Sequence, residues 1–322
     1  MFCRRNDEEA YYKKFGEQYG VDLNLVEAPP APDTAHLAAG SLCASTITAR
    51  VTARTLDALW ASGVRYLSTR TIGYDHIDVA HAREIGMHVG NVSYSPSSVA
   101  DYTLLLILAA TRRLKSILRH TAAQNFSLAG MQGRELPNLT VGVAGTGRIG
   151  RTVIARLAGF GCRILACDLH ESADVKPFAR YVPLETLLRE SDVVTLHMPA
   201  TKENYHMIDA RTLSWMKPDA LLVNTGRGTL VDTAALLDAL EQGRLGGAAL
   251  DVIEHEAGLY YNDLQDKPLP NRDLALLRAL PNVLVTPHTA FYTDQAVSDM
   301  VENSIRSCLA FARGEENPWQ VV

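Results

Sequence analysis

Long apolar runs are absent from this sequence. The longest, residues 104–110, is far shorter than the roughly 20 residues a helix needs to cross a bilayer. The first ten residues include Arg4, Arg5, Asp7, Glu8 and Glu9, so the apolar core of a signal peptide is missing as well. A cytoplasmic protein that makes no membrane contact is expected. Basic clusters are also lacking. Lys and Arg number 31 against 36 Asp and Glu, a net charge of -5, so no nucleic-acid partner is expected. Cysteine is scarce: Cys3, Cys43, Cys162, Cys167 and Cys308 are the five, and no two are spaced C-x-x-C. That excludes a zinc ribbon and a disulfide framework, and predicts mostly buried thiols in a reducing compartment. No cluster of His, Asp and Glu has metal-ligand spacing, so no metal is expected. Repeats and low-complexity tracts are absent.

Against these absences stands a hydrophobic content of 47% over 322 residues, enough for two α/β domains or one large one. The first hundred residues read as a small α/β unit. Helices are predicted at 8–19 and 52–62, and strands at 64–69 and 87–92. Pro29-Pro30-Ala31-Pro32 reads as a surface loop. Ser95-Pro96-Ser97-Ser98 marks a helix start, and one long helix is predicted over 99–125. From residue 139 onward strand and helix alternate, with strands at 139–144, 163–167, 192–197, 220–224, 246–251 and 283–286. Short, fully apolar strands such as Ala220-Leu221-Leu222-Val223 suit a parallel sheet covered on both faces. A last helix is predicted over 294–313.

One stretch carries most of the functional signal. The run Val141-Gly142-Val143-Ala144 leads into Gly145-x-Gly147-x-x-Gly150, a helix follows, and a second strand ends at Asp168. This is the dinucleotide-binding βαβ pattern in the context it requires. Gly145 allows the tight turn, Gly147 lets backbone approach the pyrophosphate, and Gly150 allows close helix–strand packing. The helix N-terminus offers free N–H groups to phosphate. Asp168 suits the adenine ribose diol and would repel a 2′-phosphate, so NAD is predicted over NADP.

Three polar residues follow later strands, where open α/β sheets place their sites: Arg227, Glu256 and His288. Singly, each also reads as a surface or capping residue. Jointly they suit reduction of a 2-keto acid. An arginine can grip a carboxylate through two parallel hydrogen bonds. A histidine is the usual proton donor near neutral pH, and a carboxylate beside it would orient the ring. Among other histidines, His197 reads as structural, with a cofactor contact as the lesser alternative. His206 and His255 are expected to face solvent or cap turns. Tyr260 and Tyr261 are read as packing residues.

Four segments together resemble the D-isomer-specific 2-hydroxyacid dehydrogenases. They are Gly145-x-Gly147-x-x-Gly150, Asn224-Thr225-Gly226-Arg227-Gly228, Asp251-Val252-x-Glu254-x-Glu256 and Pro287-His288-Thr289. Within that family the chain looks most like the D-lactate dehydrogenase branch, including the vancomycin-resistance type. That likeness rests on Ser68-Thr69-Arg70-Thr71-Ile72-Gly73-Tyr74-Asp75-His76-Ile77-Asp78, Asn91-Val92-Ser93-Tyr94-Ser95-Pro96, His288-Thr289-Ala290-Phe291-Tyr292-Thr293 and the polar insertion from Ala257 to Asn271. The resemblance implies Arg227, Glu256 and His288 as the catalytic set, with Ile72, Gly73, Tyr94 and Phe291 around the substrate. It implies Gly145, Gly147, Arg148, Ile149, Gly150, Asp168, Met198, Pro199, Asn204, Thr225, Gly226 and Asp251 around NAD. It further implies two doubly wound Rossmann-like domains with parallel sheets. A cofactor domain, 101–293, would be inserted into a discontinuous, flavodoxin-like substrate domain, 1–100 and 294–322. A homodimer joined through the cofactor domains is implied too. The chain departs from the family at its start, where only Met1-Phe2-Cys3 precedes the charged run; the first strand is shortened or the start truncated. The expected reaction is reversible reduction of pyruvate to D-lactate. The alternatives are a bulkier 2-keto acid, such as 2-ketoisocaproate or phenylpyruvate, and an NAD(H)-sensing binding protein on the same fold.

Overall fold

The structure is a computed structural model that describes all residues, Met1–Val322. Its contacts divide the chain into two compact units, Met1–Ser95 with Tyr292–Val322, and Pro96–Phe291. The divisions fall a few residues before the expected 100/101 and 293/294 boundaries.

The discontinuous unit holds a three-stranded parallel sheet in the order β1 (Cys43–Thr46), β2 (Tyr66–Thr69), β3 (His88–Gly90). Around it lie α1 (Glu9–Tyr19), α2 (Ala53–Ala61) and α3 (Val79–Glu84). Thr52 caps α2 by accepting from the Thr55 N–H, and Asp78 caps α3 through His81. Strand β1 went unpredicted because Cys43-Ala44-Ser45-Thr46 has weak β-propensity; burial on both faces makes it a strand. At the N-terminus no strand forms, but extended backbone continues the sheet: Phe2 N–H donates to Ser45 O at 2.7 Å. At the opposite edge Val89 and Asn91 N–H groups donate to Val322 and Trp319 carbonyls.

The contiguous unit is a seven-stranded parallel sheet, ordered β10-β9-β8-β7-β4-β5-β6. Its strands are β4 (Thr140–Ala144), β5 (Arg163–Cys167), β6 (Arg180–Tyr181), β7 (Val193–Leu196), β8 (Leu221–Asn224), β9 (Gly247–Leu250) and β10 (Val283–Val285). Helices α4 (Ser97–Thr111), α5 (Leu114–Ala122), α6 (Arg148–Ala158), α7 (Leu184–Glu190), α8 (Ala210–Leu213), α9 (Thr233–Glu241) and α10 (Arg272–Ala279) belong to the same unit. Two apolar clusters, one centred on Leu196, Leu222 and Leu236 and the other on Val141, Ile154 and Ala249, fill it. The strand order turns back between β4 and β7. An open parallel sheet places its ligands at the carboxyl ends on either side of such a switch.

The single helix expected over 99–125 is two. Arg113 takes a left-handed conformation (φ 54°) and ends the first, and α5 leaves in a new direction. Lys115 secures that departure by donating through Nζ to the carbonyls of Arg278, Leu280 and Val283. The five cysteines are free thiols on half-buried residues rather than fully buried ones. Cys43 and Cys167 stand at strand ends and Cys162 just before one, at the margins of the apolar layers. The last helix, α11 (Asp294–Arg313), returns to the discontinuous unit and packs against α1, β1 and β2.

Candidate functional site

The glycine-rich turn leaves β4 at the switch point. Gly145 has φ 89°, and a Cβ there would sit 2.7 Å from the His197 carbonyl carbon. A Cβ on Gly150 would stand 1.9 Å from the Gly145 carbonyl oxygen. Both positions therefore demand glycine for the fold itself. Gly147 differs: it is the N-cap of α6, and a Cβ there would meet nothing within 4 Å. A glycine that the protein's own packing does not require leaves an open cradle at a helix N-terminus, which fits a dinucleotide pyrophosphate. Arg148 and Ile149 begin the helix behind it.

Asp168 follows β5 on a half-buried turn. Its carboxylate accepts from Thr146 N–H at 2.5 Å, Thr146 Oγ1 at 3.1 Å and His170 N–H at 2.9 Å. Burial works against the charge, but these N–H donors hold the carboxyl below its usual range, so it stays ionised. A fixed anion there fits a ribose diol and disfavours a phosphate.

Met198 and Pro199 follow β7. Asn204 braces their loop, donating to Pro199 O and accepting from Thr201 N–H, both at 2.7 Å. Thr225 follows β8, and its hydroxyl lies 2.9 Å from Thr103 Oγ1. Asn224 shapes the next turn: its Oδ1 accepts from Gly226 N–H and its Nδ2 donates to Arg227 O. Gly228, to which sequence reading gave no role, seats this turn. A Cβ on it would stand 2.1 Å from Ile253 backbone, so the Arg227 turn lies directly against the segment leading to Glu256.

His288 Nδ1 and Glu256 Oε1 are 2.6 Å apart, each side chain about a quarter exposed. That bond leaves Nε2 as the nitrogen able to face a substrate. His288 has φ 53°, a conformation that costs a non-glycine residue about 1 kcal/mol. Asp251 compensates. It is fully buried after β9 and accepts from Thr286 Oγ1 at 2.6 Å and from the N–H groups of Thr289 and Ala290 at 2.9 Å. Its carboxylate thus fastens the His288 turn.

Two tyrosines read alike from sequence behave differently. Tyr260 packs against the apolar core, and its buried hydroxyl has no partner. Tyr261 borders the site: its hydroxyl donates to His288 O at 2.8 Å. Phe291 meets the His288 ring edge-on, with centroids 6.3 Å apart. His206, expected to face solvent or cap a turn, instead lies 2.6 Å from Glu254 Oε1, while Glu254 Oε2 accepts from Thr233 N–H and Oγ1. His255 is exposed. His197 bonds Thr195 Oγ1 through Nε2, its Nδ1 is buried without a partner, and burial lowers its pKa to about 3.

In the discontinuous unit Ile72 and Gly73 follow β2, and Tyr94 follows β3. Asn91 Nδ2 donates to Ile72 O at 2.8 Å and Thr71 Oγ1 to Gly73 O at 2.6 Å. Below this loop lies Arg70, fully buried, with Nε 2.9 Å from Glu8 Oε1 and further bonds to Ser45 Oγ and the Phe2 and Cys3 carbonyls. Tyr12 donates to the same Glu8. Among the described residues no group of His, Cys, Asp and Glu could hold a metal, and no helix is long and apolar enough to cross a membrane.

Comparison with known proteins agrees with this geometry. Residues 104–290 match the family model described as D-isomer specific 2-hydroxyacid dehydrogenase, NAD binding domain. A D-specific alpha-keto acid dehydrogenase of Enterococcus faecium is 45% identical, over 98% of this chain and 97% of that protein. An aromatic 2-oxoacid reductase of Clostridium sporogenes is 40% identical, over 96% and 95%. The crystal structure of a D-lactate dehydrogenase from Treponema pallidum superposes with a TM-score of 0.90 at 34% identity, covering 100% of this chain and 98% of that one. By the match over residues 104–290 and by these relatives, the chain belongs to the D-isomer specific 2-hydroxyacid dehydrogenases, enzymes that use NAD.

Proposed function

We propose that this enzyme reduces a small 2-keto acid, pyruvate, to the D-2-hydroxy acid, D-lactate. The observation that carries the reading is the 2.6 Å bond between His288 Nδ1 and Glu256 Oε1. Arg227 holds the substrate carboxylate through its planar guanidinium. His288 delivers a proton from Nε2 to the keto oxygen, and Glu256 fixes the ring and balances the imidazolium. Bound NADH supplies the hydride. Gly145, Gly147, Arg148, Ile149, Gly150 and Asp168 hold the cofactor, with Met198, Pro199, Asn204, Thr225, Gly226 and Asp251, which also fastens the His288 turn. Phe291 in the contiguous unit, and Tyr94 with the backbone at Ile72 and Gly73 in the discontinuous one, are the proposed substrate contacts, and the discontinuous unit is the substrate domain.

Phe291 supports a small side chain on the substrate, since its ring already packs on His288. A bulkier, aromatic keto acid is the second reading, favoured by the 40% identical relative named for aromatic 2-oxoacids. Steady-state kcat/KM with pyruvate, 2-ketoisocaproate and phenylpyruvate decides between them. A preference of about tenfold or more for phenylpyruvate overturns the pyruvate reading.

A homodimer joined through the cofactor units is part of the same proposal. Leu105, Leu118, Phe126 and Leu128 are exposed on and just beyond α4 and α5, apolar side chains that a partner subunit would cover. Light scattering at micromolar concentration checks it: a monomeric mass refutes the dimer.

A further inference from the structure

Two cysteines of the discontinuous unit, neither of them assigned to catalysis, stand opposite each other. Cys43 opens β1, and Cys308 stands on the face of α11 that packs on the sheet. The helix runs antiparallel to the strand and stays in register with it. Ser45 Oγ lies 2.8 Å from Ser304 Oγ, which donates to Ser68 Oγ at 2.9 Å. Two residues back along the strand cover about 6.6 Å, and four forward along the helix about 6 Å. Those nearly equal steps bring Cys43 opposite Cys308. The Cys43 thiol lies 3.5 Å from the Cys308 carbonyl oxygen. Both line a cavity of about 310 Å³ shared with Leu23, Leu42, Ile305 and Leu309.

We propose that Cys43 and Cys308 are a reversible dithiol–disulfide site whose oxidant is hydrogen peroxide. Cys43 is the nucleophile. Cys308 beside it lowers its pKa against the effect of burial, and a thiolate is the reactive form. Cys308 is the resolving thiol, its pKa raised by Cys43 and by burial. The Cys43 thiolate attacks one peroxide oxygen and the O–O bond breaks. A sulfenic acid forms, and the departing hydroxide takes up a proton as water. Cys308 then gives up its proton and attacks the Cys43 sulfur. The S–O bond breaks, an S–S bond forms and a second water leaves. Two thiols and one peroxide thus give one disulfide and two waters, two electrons passing from sulfur to oxygen. A dithiol reductant reverses the reaction by exchange.

The other three cysteines lack this pairing. Burial raises the Cys162 and Cys167 pKa values, with Asp168 adding to the second, and Cys3 Sγ lies 3.8 Å from Thr46 Oγ1. Oxidation is therefore selective. The disulfide would join positions 265 residues apart and fasten α11 to β1.

The experiment treats the purified full chain with hydrogen peroxide, blocks free thiols by alkylation, and maps peptides without reduction. Expected are a mass loss of two hydrogens, one Cys43–Cys308 linked peptide, and recovery of all five thiols with dithiothreitol. Five persistent thiols, a linkage through another cysteine, or Cys43 sulfinic acid beside a free Cys308 overturns the proposal. In Cys308→Ser, dimedone should trap the Cys43 sulfenic acid; labelling elsewhere overturns the assignment of Cys43 as nucleophile. Cys162→Ser should form the link as the parent does. The wild-type peptide map decides the matter even if Cys308→Ser fails to fold.

Discussion

His288 Nδ1 bonds Glu256 Oε1 at 2.6 Å, on a turn whose left-handed backbone is fastened by Asp251. A charge-assisted bond this short fixes both ring orientation and tautomer. His288→Ala should lower kcat by roughly 10²–10⁴-fold, the usual worth of a positioned acid. Glu256→Gln should cost less and change the pH profile of kcat/KM. NADH affinity, read by fluorescence titration, should stay within about twofold in both. Unchanged kcat in His288→Ala would falsify its proposed role.

Gly147 and Gly150 make opposite predictions from one motif. Gly147→Ala adds a methyl to open space, so Tm should hold while the NADH dissociation constant rises about tenfold or more. Gly150→Ala drives a Cβ into the Gly145 carbonyl and should destabilise by more than about 3 kcal/mol, read by urea denaturation. Equal Tm losses in both would mean that Gly147 serves packing instead.

His197 sets an acid limit on stability. Burial lowers its folded pKa to about 3 from an ordinary 6.5, so between those values the unfolded chain binds a proton that the folded chain refuses. The contribution is complete above about pH 6.5 and is lost as pH falls toward 3, with a slope of about 1.4 kcal/mol per pH unit. His197→Gln should flatten the fall of the urea midpoint between pH 6 and 4. Parallel curves for the two proteins would exclude His197 as the cause.

The buried Arg70–Glu8 pair should behave as a structural lock. Glu8→Gln leaves a guanidinium without its counter-charge, a loss of about 3–5 kcal/mol by denaturation. Cofactor binding to the contiguous unit should survive wherever the protein remains folded. A change below about 1 kcal/mol would show that the neighbouring hydroxyl and carbonyls suffice.

Sequence made some of this plain and hid the rest, for physical reasons. The dinucleotide turn was readable because its strand, glycines, helix and acid sit within thirty residues and each obeys a local rule. The final helix was readable because its cap and period are local. The resemblance put Asp251 near the cofactor, but nothing local shows that it also holds Thr289, 38 positions away. The His206–Glu254 pair spans 48 positions and the Tyr261–His288 bond 27. All three of His206, Tyr261 and His288 adopt left-handed backbone without being glycine, so composition gave no sign of these turns. The break at Arg113 was hidden likewise, because the lysine that fixes it is satisfied by carbonyls more than 160 residues on.

The return of α11 to the discontinuous unit also sets the order of assembly on the ribosome. Residues 96–291 are contiguous and can close their own sheet as soon as they emerge. Residues 1–95 are made first, yet they lack the helix that covers β1 and β2 until the last thirty residues appear. Residues 1–95 are therefore made before residues 96–291 and finished after them, and their half-covered sheet is the surface a chaperone would meet.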